Sequence, residues 1–139
     1  MKFVRAIAMV SLGFLGISSI VGAVPLILDP SGRLMHMPLV LLEHSPFHSF
    51  LIPGIILLLA NGLLSLVVLH SAARRWARYG CWIAFQGCVI GGWIVIEVIM
   101  LRMAMWAHYF YGGIGLVLIL AGLWLTQDTR TCPAHTAVQ

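Results

Sequence analysis

The most regular feature of the chain is a series of four long apolar stretches separated by short polar breaks. The stretches cover residues 4–28, 47–70, 80–101 and 107–127. Each one meets the requirement of about 20 mostly apolar residues for a helix that crosses the hydrocarbon core of a bilayer. Such runs favour helices over a membrane β-barrel, whose strands alternate in hydrophobicity over about ten residues. The pattern therefore predicts an all-α integral membrane protein with four transmembrane helices.

Composition supports this interpretation, because the polar side chains are too few to cover a water-facing surface. Of the 139 residues, 61% are hydrophobic and 9% are charged, whereas a soluble domain carries about 25% charged residues. No internal repeat, low-complexity stretch or long linker divides the chain. We expect a single transmembrane domain over residues 1–139, folded as a four-helix bundle in the lipid bilayer.

The distribution of basic residues predicts the orientation of the helices. Cytoplasmic loops of membrane proteins carry an excess of Lys and Arg. If the N-terminus is cytoplasmic, six basic residues lie inside and two outside. Those inside are Lys2, Arg5, Arg74, Arg75, Arg78 and Arg130, and those outside are Arg33 and Arg102. This predicts a multi-pass protein of the inner (plasma) membrane with both termini in the cytoplasm. The net charge of +4 is attributed to topology rather than to nucleic-acid binding, because no basic stripe is interleaved with aromatic residues.

The first apolar stretch also resembles a secretory signal peptide. Lys2 and Arg5 precede an apolar region that ends near Val21-Gly22-Ala23, and small residues are typical of a cleavage site. The apolar region is longer than the usual length of about 7–15 residues. We therefore expect a retained first helix, with cleavage as the alternative.

The segment between the first two stretches contains turn signals and a short apolar run. Asp29-Pro30-Ser31-Gly32 has the residue preferences of a type I turn, which ends the first helix. Residues 37–43 are too apolar for a solvated loop and too few to span, so a short interfacial segment is predicted. Ser45 and Pro46 are expected at the N-cap and first position of the second helix. Pro53 is expected to kink that helix.

Glu97 is the residue of the third stretch that most suggests a function. An ionisable side chain within a span costs about 2.5–3.5 kcal/mol on insertion scales, so it is expected to face other helices and to have a partner. Helical spacing places Gln86, Ile90 and Trp93 on the same face. The alternative is that Glu97 extends to the membrane interface and pairs with Arg102.

Polar residues of other stretches extend this candidate site. The candidate ligand-binding residues are Glu97, His108, Trp93, Gln86 and Asn61. Histidines together with carboxylates are also ligands for zinc or another divalent metal, and the candidate metal ligands are His44, His48, Glu97 and His108. The chain has no HExxH motif, and histidines at an interface often face water, so metal binding stays an alternative. Haem is disfavoured, because His70 and His108 lie at opposite ends of the predicted helices.

Small residues and cysteines indicate packing rather than chemistry. Small residues recur at helical spacing in all four stretches, including Gly80, Gly87, Gly115 and Gly122, and such faces let membrane helices approach closely. Cys81 and Cys88 are two turns apart on one helix, about 10 Å, which is too far for a disulfide. These two and Cys132 are interpreted as free thiols or packing residues.

Three short motifs resemble a pattern found in uncharacterised small bacterial four-helix inner-membrane proteins, which are similar to the DoxX-like group in size and layout. The motifs are Asp29-Pro30-Ser31-Gly32, Met37-Pro38-Leu39, and Ser45-Pro46-Phe47 leading into residues 50–54. In these proteins the third span carries Trp-Ile followed by an acidic or amide residue, here Trp93-Ile94 and Glu97. The resemblance implies a four-helix membrane fold but no particular activity. His44, His48 and His108 are not part of the pattern.

Two classes of function follow from these observations. The first is a structural or accessory subunit that associates with a larger membrane complex or with itself through its glycine-rich faces. The alternative is a protein that binds a small molecule, lipid or quinone in an outer-face pocket around Glu97. Enzymatic activity stays open within this second class, although no nucleophile–base pair or metal motif supports it.

Overall fold

The structure, a computed structural model, describes residues 1–130, with side chains described as far as residue 127. The long helices are α1 (Lys2–Leu28), α2 (Leu51–Ala73), α3 (Tyr79–Leu101) and α4 (Trp106–Arg130). Two short 3-10 turns, Arg33–Met35 and Leu39–Leu42, lie between α1 and α2. Residues 1–130 contain no β-strand. All four long helices are long and apolar enough to cross a membrane, as the sequence predicts.

The beginning of α2 differs from the expectation. The helix starts at Leu51, so Ser45 and Pro46 are neither its N-cap nor its first residue. The Ser45 hydroxyl instead donates to the Leu42 carbonyl at 2.9 Å and accepts from the Phe47 N–H at 3.3 Å. These bonds stabilise a turn in the preceding loop, a competing use of serine that the sequence pattern does not distinguish from helix capping.

The irregular part of α2 also lies elsewhere than predicted. Pro53 is the third residue of the helix, where a missing N–H removes no intrahelical hydrogen bond. The physical reason to expect a kink at Pro53 is therefore absent. The helix is instead wound as a π-helix over Leu57–Leu63, and the Leu64 N–H bonds to the Leu59 carbonyl five residues back.

One buried apolar cluster receives residues from every long helix. Its members are Ala8, Leu12 and Leu15 of α1, Val68 and Ala72 of α2, Ile83, Ile90 and Trp93 of α3, and Leu118, Ala121 and Leu125 of α4. A smaller cluster of Leu26, Leu42 and Phe50 fixes the segment between α1 and α2. The outward faces are apolar as well, since Val10 is 73% exposed and Leu28 is 74% exposed.

Helices α3 and α4 approach one another through glycines. A Cβ atom added to Gly87 would lie 2.6 Å from the Gly115 carbonyl oxygen and 2.8 Å from the Ile119 nitrogen. A Cβ on Gly122 would collide with the Ala84 backbone. Only glycine permits this backbone contact, so the close packing predicted for these positions is confirmed within a single chain.

Candidate functional site

A cavity of about 240 Å³ lies at the end of the helices where α3 runs into α4. Each long helix contributes to its wall, with Ser19 from α1, Leu57 from α2, Trp93 from α3 and Tyr111 from α4. Met37 closes one side from the segment between α1 and α2. Most of the lining is apolar, so the few polar groups that reach it define where a bound molecule would be oriented.

The most prominent polar feature of the cavity is a pair formed by Glu97 and His108. Nε2 of His108 lies 3.6 Å from Oε2 of Glu97. The side chain of His108 is 8% exposed and that of Glu97 is 33% exposed. Nδ1 of the same imidazole accepts a hydrogen bond of 2.9 Å from the Met105 backbone N–H. The neutral ring therefore carries its proton on Nε2, directed at the carboxylate.

Trp93 adds a third polar group to the same wall. It is 8% exposed and lies one helical turn before Glu97. Its indole Nε1–H faces the Glu97 carboxylate outside ordinary hydrogen-bond geometry. A buried indole N–H normally has a partner, and the group nearest to serve as one is the Glu97 carboxylate.

The stripe predicted on α3 is confirmed. Gln86 is fully buried, Ile90 is 3% exposed and Trp93 is 8% exposed, while Glu97 continues the same face into the cavity. Glu97 thus faces its neighbouring helices. Arg102 is exposed and forms no ion pair with Glu97, so the alternative in which the two residues pair at the interface is wrong.

Gln86 and Asn61 do not line the cavity with Glu97, which corrects the single site expected from the sequence. Gln86 Nε2 donates to the Ala60 carbonyl at 3.1 Å. In a regular α-helix the Leu64 N–H would bond to this carbonyl, but the π-helical winding directs it to Leu59 instead. The bond therefore joins α3 to the irregular turn of α2.

Several buried polar atoms that lack partners in the described part of the chain lie around this turn. Both amide atoms of Asn61, the Ser65 hydroxyl and Gln86 Oε1 have no hydrogen-bond partner among the described residues. π-helical turns are frequent at functional positions. The sequence signal for this irregular turn is Asn61-Gly62, which places two poor helix formers in the middle of an apolar helix.

The metal ligands expected from the sequence are not brought together. His44 and His48 are exposed in the loop before α2, and the described residues contain no group of three or more His, Cys, Asp or Glu that could hold a metal ion. Within that part of the chain, Glu97 and His108 form a pair with no third His, Cys, Asp or Glu beside them. The sequence predicts that these histidines lie on the same side of the membrane, but it does not specify the distances between them.

Several cavity residues were absent from the sequence-based set. These are Ser18, Ser19, Met35, Met37 and Tyr111. The sequence pattern assigns Ser18 to helix packing and does not single out Ser19, because the spacing of small residues does not reveal which helix they face. Cys81 and Cys88 are free, as expected, while Cys132 lies outside the described residues.

The turn after α1 places a carboxylate near the cavity end of the molecule. Asp29 accepts hydrogen bonds from the Ser31 hydroxyl and from the Ser31 N–H, and Arg33 Nε lies 3.8 Å from its second oxygen. The hydrogen bond from the Ser31 hydroxyl, with the nearby Arg33 charge, lowers the pKa of Asp29 below its ordinary value. The predicted turn is present, with the Gly32 N–H bonded to the Asp29 carbonyl.

Comparison of the chain with family models, curated proteins and solved structures finds no match. The candidate site therefore rests on its own geometry.

Proposed function

We propose that the four long helices cross the inner (plasma) membrane and that both termini lie in the cytoplasm. Two observations support this. The outward helix faces are apolar, which lipid tolerates and water does not. Six of the eight basic residues lie at the end of the helices opposite the Glu97 cavity, in agreement with the positive-inside rule. The cavity then opens toward the outer side of the membrane.

We further propose that the protein binds a small amphipathic molecule, of the lipid or quinone class, in this cavity. The single observation that carries the proposal is the Glu97–His108 pair on the wall of an otherwise apolar cavity built by all four helices. The polar end of the molecule would hydrogen-bond to the carboxylate, the imidazole or the indole of Trp93. Its apolar part would contact the lining from α1 and α3.

The volume limits what can enter. A cavity of about 150 Å³ holds one benzene ring, and drug-sized ligands occupy about 300–1,000 Å³. At about 240 Å³, the cavity accepts one substituted ring or a short chain segment rather than a complete phospholipid. A ring with carbonyl or hydroxyl substituents matches both the volume and the polar groups.

The function as an accessory subunit stays a second prediction. The structure weakens the argument from glycine-rich helix faces on which that prediction is based. The glycine faces of α3 and α4 that favour helix association are already used within one chain at Gly87, Gly115 and Gly122. A Cβ atom on Gly91, Gly92 or Gly113 would meet no described atom within 4 Å, and these glycines form the smaller remaining surface for a partner or a second copy. Membership of the DoxX-like group likewise stays a proposal.

The proposal is tested by purifying the protein in mild detergent and identifying what it retains by extraction and mass spectrometry. We expect a lipid- or quinone-class molecule in the wild type, and its loss in Glu97→Gln and His108→Gln. Glu43→Gln is the matched control, since Glu43 is an exposed carboxylate that does not line the cavity. Equal retention by all variants would overturn the proposal, whereas copurified protein subunits without a small molecule would favour the accessory function.

A further inference from the structure

A second cavity, of about 230 Å³, lies at the opposite end of the helices from Glu97. Lys2, Arg5, Arg75 and Tyr79 line it. They belong to the start of α1, the loop after α2 and the start of α3, so the cavity exists only because the fold brings these segments together. Along α1, at 1.5 Å per residue, Lys2 and Arg5 lie about 25 Å from the residues of that helix that line the Glu97 cavity.

The described charged side chains that line this second cavity are all of one sign. Lys2, Arg5 and Arg75 are cationic, and no carboxylate among the described side chains lines the cavity. None of the three forms an ion pair with any side chain that the structure describes. Like charges that line one cavity repel one another, and an anion between them would reduce that repulsion. The arrangement suits a negatively charged group.

The donor set matches a phosphate group. Guanidinium groups donate to phosphate oxygens in a bidentate geometry, and lysine contributes a point charge. The phenolic hydroxyl of Tyr79 adds a further donor. An apolar surface begins beside the cavity on α1, where Phe3 is 76% exposed and Val10 is 73% exposed. Acyl chains attached to a bound phosphate would lie along this surface.

We propose that the second cavity binds the phosphate group of an anionic phospholipid of the cytoplasmic leaflet. Basic pockets at the cytoplasmic ends of membrane helices recognise such headgroups. The basic residues thus have a binding role in addition to their effect on orientation. The assignment rests on the membrane placement proposed above, but it is independent of the ligand in the Glu97 cavity.

The test is a titration of the purified full chain in neutral detergent, followed by native mass spectrometry. Phosphatidylglycerol, zwitterionic phosphatidylcholine and inorganic phosphate are titrated separately. The test variant is Arg5→Gln/Arg75→Gln. The control is Arg74→Gln/Arg78→Gln, which removes two exposed positive charges from the same region that do not line the cavity. A third variant, Arg5→Lys/Arg75→Lys, retains the charges and reports on folding.

Each basic side chain near an anionic lipid contributes roughly a factor of five to binding. The test variant is therefore expected to bind phosphatidylglycerol about 25-fold more weakly than the wild type, with a loss of less than about five-fold in the control and in the lysine variant. Phosphatidylcholine should bind weakly to all of them. An equal loss in the test and control variants would overturn the proposal, because the attraction would then be diffuse.

The remaining measurements distinguish a lipid phosphate from free phosphate, and the headgroup proposal from the proposed function of the Glu97 cavity. Competition by inorganic phosphate at equal concentration would contradict a lipid headgroup and assign the site to free phosphate. If the chain stays soluble without detergent, the membrane placement fails, and the headgroup assignment fails with it. Retention of a ligand in the Glu97 cavity is measured in the same samples and should be unchanged in all three variants.

Discussion

Nε2 of His108 on α4 lies 3.6 Å from Oε2 of Glu97 on α3, while Nδ1 of the same ring accepts a hydrogen bond from the Met105 N–H. The backbone of the connection between the helices thus fixes both the orientation and the tautomer of the imidazole. The Glu97 carboxyl group therefore faces the Nε2 atom of a ring that the backbone holds in place. The contribution of this pair to the free energy of unfolding can therefore be measured separately from ligand binding.

Replacing Glu97 should distinguish a carboxylate that pairs with His108 from one that merely reaches the interface. Glu97→Leu removes the polar group that lies 3.6 Å from Nε2 of the buried imidazole and should destabilise the protein by about 1–3 kcal/mol. Glu97→Gln keeps an acceptor oxygen and should cost less. Thermal unfolding in detergent measures both.

The double variant Glu97→Leu/His108→Leu completes a thermodynamic cycle. We expect a coupling free energy of about 0.5–3 kcal/mol, because removing both polar partners no longer leaves one of them unpaired. Additive effects of the two single substitutions would show that the contact between them contributes nothing to stability.

The contact between α3 and α4 predicts opposite effects of the same substitution at two glycines. Gly87→Ala introduces a methyl group 2.6 Å from the Gly115 carbonyl oxygen and should cost about 1–3 kcal/mol. Gly92→Ala meets no atom within 4 Å and should stabilise α3 by about 0.5–1 kcal/mol, as alanine replaces glycine in a helix. A shift of the unfolding temperature in the same direction for both would contradict the backbone contact.

The bond between Gln86 and the π-helical turn predicts a specific loss of stability. Gln86→Met preserves the length of the side chain but removes the donor to the Ala60 carbonyl. An unpaired buried carbonyl costs about 1–3 kcal/mol, partly offset because the unpartnered Oε1 of Gln86 also disappears. Hydrogen exchange of the amides of residues 57–64 should accelerate. Unchanged exchange would mean that the bond does not hold the turn.

The hydrogen bonds of Asp29 predict a pH dependence of the turn after α1. The folded pKa lies below the ordinary value of 3.8 because of the Ser31 hydroxyl and the Arg33 charge. The contribution to stability is therefore complete above that ordinary value and is lost as the pH falls through the lowered folded pKa. An NMR titration of the Asp29 carboxyl should show the lowered pKa, and Ser31→Ala should raise it. An unchanged titration in Ser31→Ala would contradict this account.

The proposed topology is tested by cysteine labelling in intact cells. In a background without Cys81, Cys88 and Cys132, Arg33→Cys should react with an impermeant maleimide added outside, since the Arg33 side chain is 86% exposed. Arg74→Cys should react only after permeabilisation. The reverse result would place the Glu97 cavity on the cytoplasmic side.

The sequence predicted the four helices well because apolar length alone determines them. Three of them begin and end within two residues of the expected bounds as far as Gln127, whereas α2 begins four residues later. Ser45 and Pro46 carry the usual signals of a helix start. Those signals do not reveal that the Ser45 hydroxyl bonds to its own loop.

The sequence predicts the part of the candidate site that lies on one face of α3. Periodicity placed Gln86, Trp93 and Glu97 on the buried side of α3, and the cost of an isolated carboxylate required a partner. Which of the possible partners was used depends on how α3 and α4 are aligned. Periodicity contains no information about that alignment, nor about the distance of His44 and His48 from the site.

The short connection at residues 102–105 and the glycine contacts of α3 with α4 also have a consequence for the order of assembly. Contacts between neighbouring helices joined by a short loop cost little chain entropy and form early. Helix α1, although synthesised first, must find α4 across most of the chain length before Ser19 and Tyr111 can face one another. We therefore expect the hairpin of α3 and α4 to form as a unit, and the cavity to be the last part of the protein to mature.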